Sequence, residues 1–331
     1  MDNLYWLFRF QEHNDCYYTY GFDTKPLKEQ RRYIGHIECR DVRDRANRRW
    51  ARGKDTTSYC GLVADKFVFG MYLSSLGFPT PRVLGLCQRG FIYWNERRKK
   101  LPISSLLTSA DMDVFCKEVL EGMGVGIFTV RVVSGSLYID GKESVLEEFE
   151  KRMQGSYILQ ERVEQHSRMN SLCPSCVNTI RLVTVFRNGQ PEPLAGVVRV
   201  GVKGSRVDNW SAGGLVGPID LHTGRLGKYF FFRPGIGGRA EYHPDTGVAF
   251  DGFEVPFIEE AVRMSCDVHS FYYGIHSIGW DIAITPEGPT FLEANDEWGI
   301  KTLQVVHGGL MAEFLGSLKK GGCTDAPKKA G

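Results

Sequence analysis

No stretch of the 331-residue chain approaches the roughly 18 consecutive apolar residues of a membrane span, so a helical membrane protein is excluded. The opening "MDNLYWLFRFQEHND" carries acids and lacks the basic n-region of a secretory signal, and a cytoplasmic location is expected. Disulfide architecture is missing too. The nine cysteines are odd in number and scattered, without the spacing of a secreted framework. No internal repeat recurs. Charge of one sign is scarce overall, with a formal net charge of +2, and no recognition motif accompanies the basic residues, so neither nucleic acid nor membrane is expected as a partner.

What is present is a globular composition, 42% hydrophobic and 24% charged, long enough for two or three lobes around separate cores. Charge is unevenly spread: residues 25–54 hold eleven Lys/Arg against four Asp/Glu. Residues 1–58 therefore read as a basic helical segment, either a solvated extension or a docking surface for an anionic substrate or partner. From Asp65, "DKFVFGMYLSSLGFPTP" has helical apolar spacing stopped by Gly77, Pro79 and Pro81, and a strand should follow. "SVLEEFEKRM" reads as an amphipathic helix and "SYILQERV" as a buried strand. "NTIRLVTVFRNG" and "EPLAGVVRVGV" read as paired strands, and a long amphipathic helix follows Pro256. Helices and strands alternate without a regular βαβ period, which points to an α+β fold. The divisions expected are 1–58, a lobe over 59–165, a second lobe over 166–316, and a disordered tail over 317–331.

Two stretches carry chemistry. "GWDIAITPEGPTFLEANDEWG" reads as a hairpin turned at "TPEG", which brings Asp281 at the start of one strand towards Glu293 and Asn295 near the end of the next. Glu293 and Asn295 are two apart and share a face. Three oxygen donors in one place suit a hard cation such as Mg²⁺; the plain alternative is that the acids pair with nearby Arg or Lys. Upstream, "CKEVLEGMGVGIF" places Lys117 before Gly122, Gly124 and Gly126, whose backbone amides can approach an anion closely. The stretch matches neither the P-loop nor the dinucleotide fingerprint, so another phosphate-binding fold is needed. Arg181 sits mid-strand, where a charge is costly unless paired; it either reaches phosphates or faces solvent. Cys173 and Cys176 have the spacing of a zinc half-site but no second half, so they read as two loop or core thiols. Trp280 and Trp298 read as packing residues, His166 as an exposed loop histidine, and Glu121 as either a ligand contact or solvated.

The order "DK…GFPTP", "CKEVLEGMGVGIF", "YILQERV", "GWDIAI…FLEAND" resembles the ATP-grasp superfamily over residues 60 to 315, and within it the sugar-transfer-associated group related to D-alanine–D-alanine and glutamate ligases. The resemblance implies two α+β lobes clasping ATP. It implies that Lys66 and Lys117 approach the phosphates, that the Gly122–Gly124–Gly126 loop closes over them, and that Gln160, Glu161 and Val163 form the hinge beside adenine. Asp281, Glu293 and Asn295 would hold Mg²⁺, two ions in all. Arg199, Arg206, Asn209, Gly213 and Gly214 match the acceptor side, with Arg181 as a further catalytic candidate, and the glycine pair offers amides to an oxyanion. Two arginines of the relatives are absent: Gly279 stands two residues before the metal aspartate, and Ala212 precedes the glycine pair. The implied reaction is an ATP-dependent ligation of a small carboxylate to an amine, with a kinase as the alternative; a homodimer is compatible with either.

Overall fold

The computed structural model describes residues 2–50, 59–95, 98–108, 111–120, 126–205 and 207–318. Gly122, Gly124 and Glu121 of the glycine-rich loop, Arg206 and most of the tail lie outside the described residues.

Among the described residues the strands form two antiparallel sheets. The first contains β1 (Val83–Gln88), β2 (Phe91–Trp94), β3 (Lys99–Pro102), β4 (Met112–Glu118), β5 (Ile127–Val133), β6 (Ser136–Ile139), β7 (Lys142–Ser144) and β8 (Tyr157–Glu161). Its spatial order is β3-β2-β1-β8-β4-β5-β6-β7. Strand alternation sorts its side chains: Val114, Cys116, Val130 and Leu159 enter a core with Phe149 of the helix Leu146–Arg152, while Phe115, Lys117, Thr129 and Ile127 face the opposite way. On that opposite face the helix Lys66–Ser75 covers Val83, Val119 and Ile158 through Phe67. This helix begins where it does because Asp65 caps it, accepting from the amides of Phe67 and Val68 at 2.9 Å. The Lys66 amide donates to the Val119 carbonyl at 3.1 Å, so Lys66 is tied to the end of the strand that carries Lys117.

The second sheet contains β9 (Thr179–Arg187), β10 (Gln190–Val200), β11 (Leu215–Pro218), β12 (Phe230–Phe231), β13 (Arg239–Ala240), β14 (Ser277–Thr285) and β15 (Gly288–Asn295), in the order β13-β12-β11-β10-β9-β14-β15. Every residue of β14 is buried, because both faces are covered. Ile278, Trp280, Ile282, Ile180, Leu182 and Val198 pack against the helix Ile258–Phe271. Val183, Val185 and Val197 point the other way, under the helices Ile300–His307 and Met311–Ser317. Thr179, Arg181, Arg199 and Asp281 share this second parity but sit at the far end of the sheet. There Thr179, Arg199 and Asp281 line the cleft, with Arg181 paired beside Asp281.

Residues 2–50 add an aromatic cluster that packs onto the second sheet and its helices. Helices Asp2–Phe10 and His36–Trp50 flank a cluster of Trp6, Phe10, Tyr20, Phe22 and Tyr33, with Val305 reaching in from the second lobe. The ring centroids of Trp6 and Phe10 are 4.5 Å apart and those of Tyr20 and Tyr33 are 4.7 Å apart. Buried Gln304 joins this cluster to the lobe, accepting from the Ile34 amide at 2.9 Å and donating to its carbonyl at 3.0 Å. Asn47 accepts from the His276 amide at 2.8 Å. Several basic side chains are consumed locally: Arg43 is 3% exposed and pairs with Glu297 at 3.4 Å, and Arg9 pairs with Glu38 at 2.9 Å.

This packing makes the N-terminal segment a stability element of the second lobe. Trp6→Ala should cost about 3–5 kcal/mol in urea unfolding, as expected for emptying a buried aromatic site. A change under about 1 kcal/mol would mean that the cluster adds little to the fold.

Candidate active site

A cleft of about 450 Å³ runs between the two sheets. From the first sheet come Phe115, Lys117, Ile127 and Thr129; from the second, Thr179, Arg199, Asp281 and Glu293; the chain leaving β8 adds Glu161, Arg162, Val163 and Gln165. Register explains the assembly. Phe115 pairs with Thr129 and Lys117 with Ile127 across β4 and β5, so all four share the face turned to the cleft. Asp281 pairs with Arg181 on β9 and with Glu293 on β15, so three chemically distinct groups fall in one row across three strands.

A β-bulge shapes the far wall. Asp281 pairs with Glu293, yet the next residue, Ile282, pairs with Phe291, leaving Leu292 as the extra residue. The bulge lets consecutive Leu292 and Glu293 both line the cleft, which regular alternation forbids. Phe115, Ile127 and Leu292 thus make an apolar slot next to a charged strip.

Asp281 is the centre of that strip and is 1% exposed. Arg181 grips it with two nitrogens, Nε to Oδ1 and Nη2 to Oδ2 at 2.9 Å, and Arg199 Nη2 reaches Oδ2 at 2.9 Å. Arg181 also donates to the Trp298 carbonyl at 2.9 Å. Burial alone would raise the Asp281 carboxyl, but Arg181 and Arg199 overcome it and hold the group well below the usual carboxylate range. Glu293 behaves oppositely: burial, then the charge of Asp281, push it from the usual 4.5 up to about 7. Burial also pulls Lys117 down, with Lys66 acting in the same direction and Glu293 and Asp281 opposing. Arg199 is anchored further by Thr179 Oγ1, at 3.0 Å from Nε and 2.8 Å from Nη2, and by Asp208 at 3.5 Å. Asp208 in turn accepts from the Thr179 amide at 2.9 Å and from its hydroxyl.

The donor set fits a divalent cation. Asp281 and Glu293 lie side by side, and a cation between them would take the place of the proton that burial and Asp281 favour on Glu293. The buried Nδ2 of Asn295 has no protein partner and, as an N–H donor, suits an anionic oxygen and not the metal itself. Glu293 is the open carboxylate, and Asn295 could reach a cation only through Oδ1. Asp281 could contribute only the lone pairs that the two arginines leave.

The sequence candidates are distributed as follows. Lys117, Glu161, Val163, Arg199, Asn209, Asp281 and Glu293 line the cleft. Lys66 stands behind Lys117, close enough to bias both it and Glu293. Arg181 sits under Asp281. Asn295 lies beside Gly279 in the register. Gln160 is buried beneath the helix Lys66–Ser75 and donates to the Pro81 carbonyl at 3.0 Å, so its side chain is not among the lining groups. Gly126 adopts φ +69° at the mouth of β5, against Glu118. The expectation that Gly213 and Gly214 present amides to an oxyanion is corrected: Gly213 donates to Trp210 and Gly214 to Asn209, both at 3.1 Å. Glycine is needed there because a Cβ at 214 would lie 2.5 Å from the Asp208 carbonyl oxygen. His166 is a half-buried cap, accepting from the Arg168 amide at 3.0 Å. Trp280 and Trp298 are core residues. Thr179, Asp208, Gln165 and the apolar slot were not anticipated. Thr179 had a signal: it lies two residues before Arg181 and must share its face.

The arginine missing at Gly279 has a structural counterpart. A Cβ on Gly279 would lie 2.3 Å from the Trp298 Cβ and 3.3 Å from the Arg181 Cδ, so the glycine makes room for Trp298 and for an arginine arriving from the adjacent strand. Gly279→Ala should therefore destabilise the protein by about 1–3 kcal/mol in urea unfolding. Glu293 generates a pH dependence. Its folded value exceeds its unfolded one, so the folded state binds the extra proton and stability falls as pH rises from 4.5 to about 7. In metal-free protein, Glu293→Gln should therefore gain on the wild type across that window, by on the order of 1–3 kcal/mol at pH 8 in denaturant titrations. Parallel pH profiles for the two proteins would contradict the carboxylate pairing.

A family described as sugar-transfer associated ATP-grasp matches residues 45–320. No curated protein matches the chain. Among solved structures, a RimK domain ATP-grasp protein from Sphaerobacter thermophilus is 13% identical with a TM-score of 0.39, covering 77% of this chain and 69% of its own. The biotin carboxylase domain of a Hydrogenobacter thermophilus 2-oxoglutarate carboxylase, solved with MgADP, is 12% identical with a TM-score of 0.44, covering 78% of this chain and 46% of that one. D-alanyl-alanine synthetase A from Vibrio cholerae is 10% identical with a TM-score of 0.39, covering 77% and 59%. With most of its length matched by the family, the α+β chain belongs to the sugar-transfer associated ATP-grasp group.

Proposed function

We propose that the protein is an ATP- and Mg²⁺-dependent ligase that activates a small carboxylate as an acylphosphate for attack by an amine. The observation that carries this reading is the junction of an apolar slot with a charged strip: Phe115, Ile127 and Leu292 beside Lys117, Arg199, Asp281 and Glu293. A purine needs flat apolar walls and a triphosphate needs buried cations, and here the two adjoin.

In this reading the base lies in the slot with its edge towards the chain at Glu161–Val163. Lys66 and Lys117 approach the phosphates, whose charge offsets the burial that disfavours the Lys117 ammonium. Glu293 and Asn295, with Asp281, would hold Mg²⁺, which when bound neutralises phosphate charge. The clamp from Arg181 and Arg199 keeps Asp281 ionised and fixed. The substrate carboxylate attacks the γ-phosphorus and the bond to ADP breaks; an amine then attacks the acyl carbon and expels phosphate. Closure of the cleft excludes water from the activated acyl group.

A kinase is the alternative on the same phosphate site. Its attraction is the lack of arginines at Gly279 and Ala212, since direct phosphoryl transfer to a hydroxyl has no acyl oxyanion to stabilise. Arg199 lines the cleft beside Asp281 and brings a guanidinium there, which supports the ligase. Mass spectrometry of reactions with MgATP and pooled carboxylates and amines should show ADP, phosphate and a condensed product. Asp281→Asn and Glu293→Gln should each lose at least about 10²-fold in turnover. A stable phosphorylated acceptor without condensation would make the protein a kinase, and undiminished turnover in both variants would remove the metal and phosphate assignment.

A further inference from the structure

Two sulfur atoms face each other in the wall of the cleft. Cys173 and Cys176 lie in the turn between the short helix Ser167–Asn170 and β9, with their Sγ atoms 3.9 Å apart. A Cβ on Gly201 would fall 2.4 Å from the Cys176 sulfur and 3.6 Å from that of Cys173. Gly201 does not have a positive φ, so space for the sulfurs, not backbone conformation, is what requires glycine there. Cys176 lines the cleft. The Ser175 hydroxyl stands 3.2 Å from the Cys173 sulfur. Cys176 and then Ser175 stand by the Cys173 sulfur and hold its thiol below its ordinary value against the effect of burial.

A metal half-site is the competing use of such a pair. His243 is not free to complete it: Nε2 is 2.7 Å from the Gly201 carbonyl oxygen, and Nδ1 accepts from the amides of Asp245 and Thr246 at 3.3 Å. Among the described residues no group of three His, Cys, Asp or Glu side chains is arranged to hold an ion.

The turn is also connected to the cleft. Gln165, which lines it, accepts from the Asn178 amide at 2.6 Å and donates to the Cys176 carbonyl at 3.3 Å. Asn178 is fully buried, donates to the Cys173 carbonyl at 3.0 Å and accepts from the Gly201 amide at 3.4 Å. Bonding the sulfurs would shorten their separation to about 2 Å, and the displaced turn pulls on Gln165 directly.

We propose that Cys173 and Cys176 form a reversible disulfide under peroxide, and that its closure changes nucleotide affinity through Gln165, the second part resting on nucleotide occupancy of the cleft. Peroxide is small enough to reach a buried sulfur. The Cys173 thiolate attacks one peroxide oxygen, becomes a sulfenic acid and releases hydroxide, which takes a proton to become water. The Cys176 sulfur then attacks the sulfenic sulfur and forms the S–S bond. The departing hydroxide takes the Cys176 proton and leaves as a second water. The protein loses two electrons and the peroxide gains them.

The test uses the full chain and hydrogen peroxide. Both cysteines fall in one tryptic peptide, residues 169–181, which should become about 2 Da lighter, resist alkylation and revert with reductant. Calorimetry with MgADP should show an affinity change of about fivefold or more between reduced and oxidised protein. Cys173→Ser should bind MgADP equally before and after peroxide. Two alkylatable thiols after oxidation, or stoichiometric zinc in the purified protein, would overturn the disulfide. An oxidised peptide with unchanged MgADP affinity would overturn the coupling. Absence of MgADP binding in both redox states would overturn the nucleotide reading and with it the coupling, while the peptide mass still decides the disulfide.

Discussion

A buried carboxylate held by two arginines from different strands is the constraint on which the cleft depends. Asp281 has lost its water, a cost that only close opposite charge can offset, and Arg181 and Arg199 supply it from β9 and β10. The clamp joins three strands at a single point. It also fixes both guanidinium planes, since Arg181 has the Trp298 carbonyl as a further acceptor and Arg199 has Thr179 and Asp208. With Asp281 held ionised, burial and the Asp281 charge push the neighbouring Glu293 towards its protonated form. The same row of side chains therefore contains one carboxylate locked in ionised form and one poised to change. On the proposed reading, that asymmetry would let the site admit a cation together with a polyanion and later release them.

The sheet supplies this arrangement through parity. Residues with one parity on β9, β10 and β14 are apolar where helices cover them and charged where the helices end. A strand can therefore pass from core to active site without a change of conformation. Val183, Val185 and Val197 belong to the first part and Thr179, Arg199 and Asp281 to the second, with Arg181 between them bound to Asp281. The N-terminal aromatic cluster supports the covered part from outside, through Gln304 and the helix Ile300–His307.

How much of this was legible depended on sequence distance. The hairpin of β14 and β15 and the nearness of Asp281 to Glu293 were readable, because turn chemistry and period-2 alternation act over a few residues. The helix beginning near Asp65 and the pairing of β9 with β10 were readable for the same reason. The bulge at Leu292 was not, since alternation assumes uniform pairing. Arg181 was seen as costly unless paired, but its partner lies 100 positions away and is the very aspartate expected to bind metal. The aromatic cluster was missed because the contact that orients it, Ile34 with Gln304, spans 270 positions. The glycine pair at 213–214 misled in a different way: a glycine that permits close backbone approach and a glycine that exposes an amide have the same letter, and only the hydrogen bonds tell them apart.

Gly279 and Arg181 bear on the substrate. An arginine rising from the metal strand itself would keep its guanidinium clear of Asp281, because residues two apart on a strand stand side by side. Arg181 comes from the neighbouring strand, directly opposite Asp281, and two of its nitrogens are committed to that carboxylate. It therefore delivers charge to the reacting centre mainly through the field of the clamp, with little left for direct contact with an acceptor. Arg199, which lines the cleft while Arg181 does not, is the better placed of the two to meet a substrate oxyanion. On the ligase reading proposed above, an acceptor met by one guanidinium needs less negative charge than one gripped by two free arginines, which would suit a monoanionic carboxylate.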